Sequence, residues 1–126
     1  MGFWIFMLIM DLLIPLTMLG IGKLFKDKTP QNINSVYGYR TTMSMKNKET
    51  WKFAHKYCGK IWINTGTIML PISMIIMFMC MGNEVEVVGT VGGVLCAVQT
   101  LILILSIFPT EIALKKVFDA NGRRKE

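Results

Sequence analysis

The sequence predicts an all-α integral membrane protein, with three transmembrane helices and an amphipathic interfacial helix in the loop between the first two. Three observations carry that fold class. Apolar runs cover residues 3–24, 61–81 and 87–108, and a hydrocarbon core of roughly 30 Å needs about 20 such residues per helix. All 14 Lys and Arg residues fall at the end of the first run, in the loop behind it, or in the tail after the third. The link between the second and third runs, residues 82–86, carries Glu84 and Glu86 and no basic residue. Basic residues collect on the cytoplasmic side of membrane proteins. The expected topology has the N-terminus outside, the 25–60 loop inside, a tight hairpin outside and a cytoplasmic tail over 109–126.

The chain has 126 residues, enough for one membrane domain, and 52% of them are apolar. A net charge of +6 is not read as a nucleic-acid signal, because the charge sits where the topology demands it. It suits anionic lipid of the inner leaflet instead. Cys58, Cys80 and Cys96 show no C-x-x-C spacing, so neither a disulfide framework nor a metal site is expected, and the thiols read as small apolar fillers.

The first run is too long for a signal-peptide core and lacks both a basic leader and a small-x-small cleavage site, so it is expected to stay as a span. It holds Asp11 near mid-membrane and Pro15 one turn on. Proline removes a backbone donor, and the carbonyl it frees needs a partner from a neighbouring helix. A carboxylate at a helix centre costs about 2.5–3.5 kcal/mol on insertion scales, which makes Asp11 the foremost candidate for function. Asn64, Thr67, Gln99 and Thr100 are its expected partners. A purely structural hydrogen bond explains Asp11 equally well.

Residues 31–42 are rich in turn formers. A helix then begins at Ser44 or Asn47, with Glu49 in its first turn to complement the macrodipole. Trp51, Ala54, His55, Cys58 and Trp62 share one face, and Lys48, Lys52, Lys56 and Lys60 line an adjacent one. That pattern predicts a helix at the membrane surface that bends near Gly59 into the second span. His55 has no ligand set around it and reads as a boundary residue. In the third span, Gly89, Gly93 and Ala97 form a small-xxx-small ridge, expected to meet the second span; a homo-oligomer seam is its competing use. After Pro109 a short amphipathic helix covers 110–118, and 121–126 reads as a frayed basic end. No nucleophile with a base is apparent, so no enzyme chemistry and no cofactor is expected.

Asn34, Gly38, Arg40-Thr41 and Ser44, followed by Trp51 and Ala54-His55, resemble the signature of the SdpI family in both residue type and spacing. That family comprises bacterial membrane proteins named for an immunity protein that protects a cell from its own secreted killing peptide. Its founding member also captures a repressor at the membrane, and carries an additional N-terminal membrane domain that this sequence does not show. The resemblance marks Asn34, Gly38, Arg40, Thr41, Ser44 and Trp51 as the family's residues. It implies immunity or resistance by binding a peptide toxin. Two readings compete with it: a signalling scaffold that recruits a cytosolic regulator through the lysine stripe, and a small transporter subunit or membrane enzyme working as an oligomer. The region of Asp11, Asn64 and Gln99 is the expected place for a ligand inside the bilayer.

Overall fold

A computed structural model describes residues 2–29, 33 and 38–125 of the chain. It contains α1 (Gly2–Asp27), α2 (Lys48–Met79), α3 (Val85–Leu105) and α4 (Ile107–Val117), and three of its helical stretches are long and apolar enough to cross a membrane. α1 is the central element. It lies along most of α2 and packs more lightly on α3, whereas α2 and α3 touch little. Large apolar side chains such as Ile9, Ile68, Ile75, Val94 and Ile104 point outward from all three, as expected where lipid replaces water.

The segment that carries the lysine stripe and the second span are one helix of 32 residues. Asn47 caps it: the side chain accepts from Thr50 N while Thr50 Oγ1 accepts from Asn47 N. This reciprocal pair satisfies two of the orphan donors at a helix start. No break occurs at Gly59, and its glycine serves contact. A Cβ on Gly59 would lie 2.5 Å from the Gly22 carbonyl oxygen, and one on Gly22 would lie 3.0 Å from the Gly59 carbonyl oxygen. Backbone therefore meets backbone across α1 and α2.

The α1–α2 register follows from that contact. Trp4 meets Met77, Pro15 meets Gly66 and Gly22 meets Gly59, in antiparallel order. On α2 and its C-cap the buried small residues Gly59, Gly66, Ser73 and Cys80 recur every seven positions. On α1 the buried Trp4, Asp11, Met18 and Phe25 do the same, with Pro15 and Gly22 between them. A seven-residue repeat keeps one seam facing its partner along both helices, and small residues on one side allow close approach in lipid.

The ridge at Gly89, Gly93 and Ala97 does not form the contact between the second and third spans. Gly93 has nothing within 4 Å of a built Cβ, and Gly89 faces Phe3 of α1. Gly92 is the packed glycine of α3, pressed against Met7 and Asp11. Because α1 occupies the middle of the bundle, α3 turns its buried Val88, Gly92 and Gln99 toward it.

Two apolar clusters close the bundle. Trp4, Met77, Cys80 and Val88 gather at the hairpin end, where Trp4 Nε1 donates to the Met77 carbonyl at 2.7 Å in the last turn of α2. Phe25, Tyr39, Ala54, Cys58, Leu114 and Phe118 gather at the basic end. The Trp51 face of α2 is thus covered by protein, and Lys48, Lys52, Lys56 and Lys60 stay exposed.

The chain breaks between α3 and α4 at Ser106, three residues before Pro109, whose ring opposes the Leu105 carbonyl four residues back and offers it no N–H. Trp62 Nε1 donates to Ser106 Oγ at 2.9 Å and fixes this joint to α2. The basic end over 121–125 is folded, contrary to the fraying its composition suggests. Asp119 Oδ1 accepts from the N–H groups of Asn121 and Arg123, both at 2.9 Å, and Gly122 takes φ +82°. Asn47 Nδ2 then donates to Gly122 O at 2.7 Å, and Arg124 pairs with Glu49 at 2.7 Å.

Candidate functional site

Two polar assemblies stand out. The first lies in the middle of the bundle between the two apolar clusters. Pro15 has no N–H, so the Asp11 carbonyl four residues earlier loses its helical partner. Gln99 of α3 supplies the donor: its Nε2 reaches Asp11 O at 2.8 Å and Ser73 Oγ of α2 at 2.7 Å. One carboxamide therefore joins all three spans at one depth. A carbonyl oxygen only accepts, so this contact fixes which end of the Gln99 amide is nitrogen.

Asp11 and Gln99 are 0% and 1% exposed. Cys96 Sγ donates to Asp11 Oδ1 at 2.7 Å. Gly92 leaves the room that Oδ2 occupies, since a Cβ there would come within 3.1 Å of it. Asp11 Oδ2 and Gln99 Oε1 are buried and have no hydrogen-bond partner among the described residues. Buried polar atoms are ordinarily paired. Asn64, Thr67 and Thr100 lie on exposed faces of their helices, apart from this layer. Thr67 and Thr100 bond back to Ile63 O and Cys96 O in their own helices.

Beside the layer, α2 and α3 diverge into an apolar groove of about 270 Å³. Ile68, Ile72, Leu95 and Val98 are among its walls, with the half-buried Thr65 beside them and the buried Ser73 and Gln99 behind. The groove follows from the topology, because α1 holds the two helices and they barely hold each other.

The second assembly is at the basic end, where residues 48–60 of α2 extend with their lysines beyond the apolar stretch. Gly38 takes φ +110°, a conformation that favours glycine. A Cβ there would lie 2.7 Å from His55 Nε2 and 3.2 Å from the Trp51 ring. The bend delivers Tyr39 N–H to His55 Nε2 at 2.9 Å, and His55 Nδ1 lies 2.8 Å from Trp51 O. Nε2 must accept from an N–H, so Nδ1 carries the proton and donates to the carbonyl; the imidazole is neutral. Burial pushes its pKa below the ordinary value, against the opposing pull of the Trp51 carbonyl.

The Tyr39 hydroxyl donates to Glu111 Oε1 of α4 at 2.8 Å. Burial, aided by that carboxylate, holds the phenol well above its usual range. Thr41 and Ser44 bond reciprocally, Thr41 N to Ser44 Oγ at 2.8 Å and Ser44 N to Thr41 Oγ1 at 3.2 Å, and Ser44 Oγ also reaches Tyr39 O at 2.9 Å. Thr50 Oγ1 lies 3.1 Å from Ser44 O, tying the turn to α2. The structure therefore gathers Gly38, Thr41, Ser44 and Trp51 into one clamp, with Arg40 exposed beside it. Asn34 lies outside the described residues.

Sequence reasoning missed His55, Tyr39 and Glu111 as clamp members and Ser73 and Cys96 as members of the buried layer. For Ser73 a signal existed in the spacing Gly59, Gly66, Ser73, Cys80. For Glu111 none did, because its partner is 72 residues away.

The model of the SdpI/YfhL protein family matches residues 31–110, which include the clamp, all of α2 and α3, and the start of α4. A relative described as uncharacterized protein YfhL, from Bacillus subtilis (strain 168), is 36% identical over 55 residues, covering 44% of this chain and 50% of the relative. The chain thus spans about half the length of that relative. No solved structure matches it. With its matched stretch running across more than half of its residues and through both polar assemblies, the chain belongs to the SdpI/YfhL protein family.

Proposed function

We propose that this chain is an immunity or resistance protein of the bacterial cell membrane, which protects against a membrane-active peptide by binding it in the bilayer. The reading needs no catalysis. Its main support is the groove between α2 and α3, an apolar trough that lies beside the buried Gln99–Ser73 hydrogen bond. A peptide that inserts into lipid meets this trough without leaving the hydrocarbon, and a peptide held there is kept from assembling into a pore. The family adds support, since its namesake is an immunity protein. In this reading the basic end faces the cytoplasm and anionic lipid, following the distribution of Lys and Arg. Expression in a toxin-sensitive bacterium tests it: survival should rise at confirmed membrane levels, and unchanged killing at those levels removes the reading.

A second reading rests on the exposed stripe Lys48, Lys52, Lys56 and Lys60. Such a stripe suits an acidic cytosolic regulator or repressor. Crosslinking from Lys52 should trap a soluble protein that charge reversal of the stripe releases; recovery of lipid alone sinks this reading.

A further inference from the structure

We infer that the turn over residues 38–44 is a proton-released latch: neutral His55 fastens it to α2, and an imidazolium at that position lets it swing free while the bundle stays folded.

The latch is one hydrogen bond that only the neutral ring can make. Tyr39 N–H donates to His55 Nε2 at 2.9 Å, and the other ring nitrogen is spent on Trp51 O at 2.8 Å. A proton on Nε2 sets two donors against each other at that distance. The ring has little room to withdraw. Trp51 and Phe25 lie against it, with ring centroids 4.2 and 4.8 Å away. Gly38 presses on Nε2 so closely that a Cβ there would come within 2.7 Å. His55 is 0% exposed, so bulk water does not take over the lost contact. The conflict is relieved when the turn departs.

The surroundings offer an imidazolium little compensation among the described residues. From α1 it meets Phe25, while Lys26 and Asp27 are exposed. Within α2 it has Trp51 and, one turn on, the buried Cys58, with Lys52 and Lys56 on the exposed side. The turn brings Tyr39 and the exposed Arg40. Glu111 of α4 is the carboxylate reached through Tyr39, and the Tyr39 hydroxyl already engages it at 2.8 Å; Lys115 of the same helix is exposed.

What leaves does so as a unit. Thr41 and Ser44 are bonded to each other, so the turn keeps its shape, and Asn47 and Thr50 keep the cap of α2. Tyr39 withdraws from the cluster that holds Cys58 and Leu114, and Arg40 and Thr41 travel with it. At the far end of the bundle the Trp4–Met77 bond shares nothing with the latch. Such local opening is cheaper than global unfolding. In the protective-binding reading the latch faces the cytoplasm, where proton entry through a breached bilayer lowers the pH. The latch itself stands apart from that reading.

The test uses the full chain, labelled with nitrogen-15, in detergent micelles. His55 is the one histidine of the sequence, so its ring signals are unambiguous, and at pH 7.5 they should show the proton on Nδ1. Hydrogen exchange at the Tyr39 amide, corrected for its intrinsic pH dependence, should quicken roughly three- to tenfold from pH 7.5 to 5.5. That range follows because the open turn binds a proton at the ordinary value of about 6.5 and the closed one only below it. The Trp4 indole N–H should keep its protection throughout, and in His55→Gln the pH response of Tyr39 should vanish. A proton on Nε2 at pH 7.5, Tyr39 exchange indifferent to pH, a response that survives His55→Gln, or Trp4 opening in step with Tyr39 overturns the inference. None of these results bears on survival of toxin-treated cells, which tests the immunity reading by itself.

Discussion

Gln99 donates to the Asp11 carbonyl at 2.8 Å, at the one position in α1 where Pro15 removes the helix's own donor. The broken rung of one helix is thereby repaired by the side chain of another. In lipid no water is available for the repair, so the Pro15 defect and the Gln99 bridge are two halves of one device.

A double-mutant cycle measures that device. Gln99→Leu should destabilise the protein by about 1–2 kcal/mol in detergent unfolding. In a Pro15→Ala background, where residue 15 again donates to Asp11 O, the same change should cost clearly less. Equal costs in both backgrounds would show that the two residues are not coupled.

The glycine contact between α1 and α2 predicts an asymmetry among glycines. Gly59→Leu drives a side chain into the Gly22 carbonyl, 2.5 Å from its Cβ, and should cost at least about 2 kcal/mol. Gly93→Leu enters open space and should stay within about 0.5 kcal/mol. Thermal unfolding of the two variants in one detergent checks the contrast.

Gly38 is predicted to be intolerant for two reasons at once. Its φ of +110° strains any other residue, and a Cβ would strike His55 Nε2. Gly38→Ala should cost about 1–3 kcal/mol and expose the Tyr39 backbone N–H to hydrogen exchange. Retained protection of that N–H would contradict the clamp.

The neutral His55 sets a pH dependence. Its folded pKa lies below the ordinary value of 6.5, so on acidification the unfolded chain takes up the proton first. Stability should therefore be full above pH 6.5 and fall as pH drops through and below it, with a slope of at most about 1.4 kcal/mol per pH unit. His55→Gln should flatten that slope in denaturation curves recorded between pH 7.5 and 5.5.

Much of this architecture was legible from the residues. Length and hydropathy set the three spans, because the bilayer demands about 20 apolar residues regardless of partner. Asn47 and Pro15 announced a cap and a missing donor, since both effects are local to the backbone. The partner of each surface was harder to read. Trp51, Ala54, His55 and Cys58 share a face that suits lipid or protein equally, and Phe25, Leu114 and Phe118 cover it only because α1 and α4 return to the same end. The Gly89–Gly93–Ala97 spacing competed with the seven-residue spacing of Gly59, Gly66 and Ser73, and only packing chooses between two such seams. Asp119 and Gly122 make a docked turn through Asn47, 75 residues away, a distance no local pattern spans.

The most direct test of the account is the sidedness of single cysteines in living cells, with Cys58, Cys80 and Cys96 replaced. A membrane-impermeant maleimide should label Asn83→Cys in intact cells, and should reach Lys52→Cys and Lys116→Cys only after the membrane is opened. Labelling of Lys52→Cys or Lys116→Cys from the exterior, or failure to label Asn83→Cys there, would contradict the threefold crossing and the placing of the clamp on the cytoplasmic side.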